Sequence, residues 1–154
     1  MVTLFRCTRP AADDMATAKR WAPVSGLVLN CQPAVSFDLT TLDFGNQNVG
    51  TTSTAKSVTM TNTGGGPLAI AGIGIGSVPA TAGNDYSVSN NCGNNLSVGA
   101  SCTLSITFHP AGANTRAGSV SVADNAPGSP HTVSLTGIGV GAVASLSAST
   151  LTLP

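Results

Sequence analysis

Cys102-Thr103-Leu104-Ser105-Ile106-Thr107-Phe108 alternates apolar and hydroxyl side chains without a break. An extended chain points successive side chains to opposite faces, so Cys102, Leu104, Ile106 and Phe108 share one face and the hydroxyls take the other. The stretch predicts a half-buried strand. The same period of two recurs in Ser57-Val58-Thr59-Met60-Thr61, in Ser119-Val120-Ser121-Val122 and in Thr132-Val133-Ser134-Leu135-Thr136. Between these segments lie clusters of turn-forming residues: Asn62-Thr63-Gly64-Gly65-Gly66-Pro67, Asn90 to Asn95, Pro110 to Asn114, and Asp124 to Pro130. About seven short strands at this spacing predict an all-β chain folded as a two-layer antiparallel β-sandwich, with Val, Ile, Leu and Phe inward and Ser and Thr outward.

Working outward from the strands, the chain divides into three parts. Residues 1–34 carry Arg6, Arg9, Lys19 and Arg20 against Asp13 and Asp14, hold the only Trp and show no alternation. Lys19-Arg20 ahead of the apolar Trp21–Leu29 has the outline of an export signal, but Pro23, Ser25 and Gly26 interrupt it, and Asn30 before Cys31 spoils a lipoprotein reading. This part is expected to be a poorly structured leader or a wrongly assigned N-terminus, with Met15 as an alternative start. Residues 35–141 hold the sandwich. Residues 142–154 are expected to be a linker and the first strand of a following repeat, because Ser145–Pro154 lines up with Ser36–Gly45 at an offset of 109 residues. A period of that length suits a tandem array of whole domains, since solenoid repeats run to roughly 20–50 residues.

Composition narrows the partners. Charged residues make up 8% of the chain and the net charge is zero, against roughly 25% charged residues in an ordinary soluble domain. From Val35 onward the only Lys and Arg are Lys56 and Arg116, beside Asp38, Asp43, Asp85 and Asp124. No basic patch is available to displace counterions from phosphates, which argues against nucleic acid. No apolar run has the roughly 20 residues of a membrane-spanning helix.

A small sandwich gains from covalent help. Cys92 lies in a turn and Cys102 begins the next strand, so a disulfide between them can staple that turn to the sheet. Cys7 and Cys31 flank an unpatterned leader that gives no geometric reason for pairing, and they are expected to stay free or to pair variably.

Several ordered motifs carry a family resemblance. Leu42-Asp43-Phe44-Gly45-Asn46-Gln47-Asn48-Val49-Gly50, then Val58-Thr59-Met60-Thr61-Asn62-Thr63-Gly64, Pro67-Leu68-Ala69-Ile70, Asn91-Cys92-Gly93, Gly99-Ala100-Ser101-Cys102-Thr103, Thr107-Phe108-His109-Pro110, Arg116-Ala117-Gly118 and Val133-Ser134-Leu135-Thr136-Gly137 follow one another in register. Together they resemble the choice-of-anchor D repeats of bacterial surface proteins, within the Hydin-like and abnormal-spindle (ASH) immunoglobulin-like domains. The resemblance covers Val35 to Val140 and implies an immunoglobulin-like β-sandwich of about seven strands. His109 stands where that pattern has Thr. The glycines and prolines of these motifs read as turn and boundary residues, with Gly45, Gly50, Gly99 and Gly137 expected where strands stop.

Chemistry-bearing motifs are weak. Gly72-Ile73-Gly74-Ile75-Gly76 lacks the later glycine of a dinucleotide loop and the Lys-Ser/Thr of a phosphate loop, and reads as a glycine-rich strand or bulge. His109, His131 and Asp124 with nearby serines invite comparison with a hydrolytic triad, but no Gly-x-Ser-x-Gly elbow accompanies them. The cysteines include no Cys-x-x-Cys pair and the acids are scattered, so neither zinc nor calcium is expected. Asn95-Leu96-Ser97 fits a glycosylation acceptor, which matters only in a eukaryotic secretory setting. The expected role is a non-enzymatic spacer or adhesive repeat of a bacterial extracellular or cell-surface protein, without cofactor. Its partners would be neighbouring repeats of the same chain, other surface proteins or glycans. Two alternatives stand beside it: a carbohydrate-binding accessory domain of a secreted enzyme, and an intracellular ASH-type scaffold of the cilium or centrosome.

Overall fold

The structure, a computed structural model, describes residues 31–76 and 85–141. The leader expected over residues 1–34 lies outside the described residues but for its last four, 31–34, and the linker and strand expected over residues 142–154 lie wholly outside them. Nine strands run through the described part: β1 (Val35–Phe37), β2 (Thr41–Asn48), β3 (Lys56–Asn62), β4 (Leu68–Ile75), β5 (Tyr86–Asn90), β6 (Asn95–Leu96), β7 (Ser101–Phe108), β8 (Asn114–Asp124) and β9 (His131–Val140). They form a four-stranded sheet, β1-β3-β7-β5, and a five-stranded sheet, β2-β9-β8-β4-β6. The chain is thus an all-β sandwich. Seven strands have five residues or more; β1 and β6, with three and two, are too short to show alternation in the sequence.

The hydroxyl and apolar faces separate as the period of two requires. Along β7, Cys102, Leu104, Ile106 and Phe108 are buried while the residues between them are partly exposed. Val58 and Met60 of β3 stand opposite Leu104 and Cys102, and Val120, Val122, Val133 and Leu135 supply the facing layer from β8 and β9. The stretch Gly72–Gly76 falls in and just after β4, with a register shift against β8 between Ile70 and Gly72.

All strand pairs are antiparallel except β2 and β9, which are parallel. The reason lies in the first extended run. β1 adds to β3, and Asp38 then ends that pairing: its amide donates to the Thr59 carbonyl at 3.1 Å and its carboxylate accepts the Thr59 N–H at 2.8 Å. The chain crosses to the other sheet and continues as β2 alongside the last strand, from Thr41 opposite Ser134 to Asn48 opposite Val140. With β2 and β9 running the same way, the chain comes in at one end of the sandwich and goes out at the other.

Two glycines correct the expectation that they mark strand ends. Gly45 lies within β2, with φ of +66°, at a bulge where Phe44 and Gly45 interrupt the register between Asp43–Thr136 and Asn46–Ile138. Gly137 lies within β9, where a Cβ would come within 2.5 Å of the Phe108 ring. Its absent side chain is space that Phe108 fills.

Cys92 and Cys102 are joined, with Cα atoms 4.9 Å apart, and the bond ties the turn after β5 to the start of β7. Cys31 is also disulfide-bonded. Of the two expectations for it, a free thiol or variable pairing, the free thiol is corrected. Replacing both Cys92 and Cys102 by Ser is expected to lower the unfolding free energy by about 2.5–3 kcal/mol, the chain-entropy value for so short a loop. Urea denaturation of oxidised wild type and double variant checks this; equal midpoints would contradict it.

Candidate functional site

Three polar clusters stand out, and each shows what the sequence motifs do. At the exit end, Asp85 is almost fully buried, 2% exposed. Its carboxylate pairs with the Arg116 guanidinium and accepts the Ala111 N–H at 3.0 Å. Burial works against its charge, but Arg116 and the Ala111 amide outweigh it and hold the carboxyl below its ordinary value. The pair joins the start of β5 to β8 and pins the loop after β7. Next to it Tyr86 stacks on Phe108 with ring centroids 4.8 Å apart, and Phe44 lies 5.8 Å from both.

The Tyr86 hydroxyl donates to the Arg116 carbonyl at 2.9 Å. Burial first, then the charges of Asp85 and Asp43, push its phenol up to about 12. Tyr86 is the chain's only tyrosine, so its phenolate absorbance can be titrated cleanly. The midpoint is expected near 12 in the folded protein and about 10 in denaturant. Because the folded value is raised, this stabilisation is complete below about pH 10 and is lost as pH rises through the folded value. A folded midpoint near 10 would contradict the burial argument.

The second cluster is the β8–β9 hairpin. His131 Nδ1 lies 2.9 Å from Asp124 Oδ2, Asp124 Oδ1 accepts the Ala126 N–H at 2.7 Å, and the Asp124 N–H donates to Ser129 Oγ at 2.9 Å. The structure therefore brings together Asp124 and His131, two members of the triad considered from the sequence. Ser129 is engaged by the Asp124 backbone, and among the described residues no serine hydroxyl bonds His131. These bonds brace the hairpin. His109 is elsewhere, with Nδ1 3.0 Å from Thr52 Oγ1. Among the described residues no group of three His, Cys, Asp or Glu side chains could hold a metal ion, and no helix is long and apolar enough to cross a membrane.

The third cluster, at the entry end, is built on Asn62. Its side chain is fully buried and all its capacity is used: Nδ2 donates to the carbonyls of Gly66 at 2.8 Å and Leu96 at 3.0 Å, while Oδ1 accepts the Gly64 N–H at 3.1 Å and the Ala34 N–H at 3.4 Å. The incoming segment lies on the glycine turn that follows. Thr63 N–H donates to the Ala34 carbonyl at 2.9 Å, and the Gly65 and Gly66 amides donate to the Gln32 carbonyl at 2.9 and 3.3 Å. An open hollow of about 370 Å³ beside it is lined by Gln32–Val35, Gly64, Gly65, Pro127 and His131. The sequence marks Asn62–Gly66 as a turn; that the turn also receives chain from about thirty residues earlier has no sequence signal.

Strand order, the parallel pairing of β2 with β9 and the aromatic cluster define an immunoglobulin-like β-sandwich domain. Residues 33–138 match the model of the HYDIN/CFA65/VesB-like, Ig-like domain, and the chain belongs to that family. No curated protein matches it by sequence. Among solved structures, it is similar to a protein of unknown function from Porphyromonas gingivalis W83, with 20% identity and a TM-score of 0.58 over 72% of this chain and 49% of that one. It is also similar to the ASH/PapD-like domain 7 of human CEP192, with 17% identity and a TM-score of 0.51 over 80% and 97%. The Vibrio cholerae VesB protease gives 22% identity and a TM-score of 0.54 over 68% and 31%. At these identities the likeness is one of fold. The chain spans about half the length of the Porphyromonas protein and under a third of VesB.

Proposed function

We propose that this domain is a non-enzymatic structural and interaction module, a spacer or adhesive repeat of the choice-of-anchor D type in a multi-repeat bacterial extracellular or cell-surface protein. The observation that carries the reading is the parallel pairing of β2 with β9. It separates entry from exit by the length of the sandwich, so successive copies stack end to end and each adds roughly 40 Å, about a dozen residues of extended chain. The outer faces suit exposure, since Ser and Thr predominate among the outward residues of β3, β7 and β9, beside an exposed Ile138 at the end of β9. Disulfides at Cys92–Cys102 and at Cys31 fit an oxidising compartment, which also weighs against the intracellular scaffold. The aromatic side chains among the described residues, Phe37, Phe44, Tyr86 and Phe108, are buried or half-buried, which leaves a sugar ring no exposed platform and weighs against the carbohydrate-binding alternative.

The test is labelling of intact cells of the producing organism with an antibody to this domain, together with disulfide mapping of the recovered protein. Surface labelling with Cys92 and Cys102 bonded is the expected result. Labelling only after lysis, with both thiols free, would overturn the surface assignment.

A further inference from the structure

The geometry points to the Asn62–Gly66 turn as a docking site for the polypeptide that enters each copy of the domain, so that in an array the connection between copies is a held strand. The hold belongs to this chain; its extension to a neighbouring copy rests on the repeat reading above.

The turn is shaped by the chain it receives. A Cβ at Gly64 would fall 2.3 Å from the Ala34 nitrogen and 2.4 Å from the Gln32 carbonyl oxygen, and one at Gly66 would fall 1.9 Å from the Cys31 carbonyl oxygen. Backbone thus lies on backbone at a distance only glycine permits. The contact is also bonded, by the amides of Thr63, Gly65 and Gly66 and by Asn62 Oδ1. Asn62 in turn reaches the Leu96 carbonyl in β6, so the incoming segment is tied to both sheets through one buried side chain.

The repeat spacing gives the hold a consequence. An offset of 109 residues aligns positions 140–143 of the sequence with positions 31–34. β9 ends at Val140, so the chain leaving one sandwich would pass at once into the next copy's glycine turn. A flexible tether needs free residues, typically Gly and Ser in number, and this spacing leaves none. Successive copies would be fixed in orientation and the array would behave as a rod.

Hydrogen exchange on the full chain tests the hold. Thr63, Gly65 and Gly66 amides are expected to exchange at least ~100-fold slower than unstructured amides, as bonded groups do in native proteins. In Gly64→Ala these three should lose most of that protection while Leu104 and Val133 keep theirs. Gly74→Ala is the control, since a Cβ there meets nothing within 4 Å, and it should change neither group. Unprotected Gly65 and Gly66 amides in the wild type would overturn the hold whether or not the variant folds, and so would unchanged protection in a folded Gly64→Ala protein. Small-angle scattering then reads the rod, using the chain continued from Val140 directly into a second copy that starts at Cys31. A maximum dimension about twice that of one copy is expected, and a broad distribution of shapes would overturn the rod while leaving the hold. A native sequence beyond Pro154 that contains no second copy would remove the repeat reading alone.

Discussion

Phe108→Ala is expected to lower the unfolding free energy by about 3–5 kcal/mol, the range for removing a fully buried Phe from a core that cannot collapse around the loss. Phe108 is completely buried, and its surroundings are built to its shape. Tyr86 stacks on one side, Phe44 tilts against it, and Gly137 leaves the space its ring edge occupies. The backbone there is held as well: Phe108 N–H donates to Ser53 Oγ at 3.0 Å and its carbonyl accepts the Ser53 N–H at 2.8 Å. With the frame fixed, the cavity persists. Urea denaturation measures the loss, and Phe108→Leu should recover a good part of it. A change below about 1 kcal/mol would show that the aromatic cluster is not a rigid core.

Asp85→Ala is expected to cost a similar amount, about 3–5 kcal/mol, because it removes the buried carboxylate that faces the Arg116 guanidinium in a site that is largely closed to water. The Arg116 side chain is 14% exposed and that of Asp85 2%. The variant also removes the acceptor of the Ala111 N–H, freeing the loop between β7 and β8. Acid titration offers an independent signature. The Asp85 carboxyl is held below its ordinary value in the fold, so its contribution is present above about pH 4 and is lost as pH falls through the lower folded value. Stability of the wild type should therefore fall more steeply in acid than that of Asp85→Ala. Parallel acid slopes for the two proteins would sink the assignment of this pair.

The two variants together separate what the chain's pattern encodes from what its folding creates. Alternation in β3, β7, β8 and β9 is readable directly, because an extended chain must place every second side chain on one face and only one face of each strand is apolar. Turn clusters are readable for the same local reason: Gly, Asn and Pro impose backbone geometry on their own neighbours. Those two signals suffice for an all-β sandwich.

What the sequence could not show depends on residues far apart along the chain. Arg116 and Asp85 are 31 residues apart, and Gly137 and Phe108 belong to different sheets. Neither pair has a local signature, and Gly137 reads as a strand end because a glycine inside a strand is legible only when its packing partner is known. The parallel pairing of β2 with β9 is equally hidden, since a strand's side-chain pattern is the same whichever way its neighbour runs. By itself, then, the sequence determined strands, turns and the side of each strand that is buried, all short-range consequences of backbone geometry and solvation. Only the tertiary structure decided that the chain enters and leaves at opposite ends, and that the Asn62–Gly66 turn receives the incoming segment. Those are matters of which distant strands share an edge, and that choice is made by packing the whole sandwich at once.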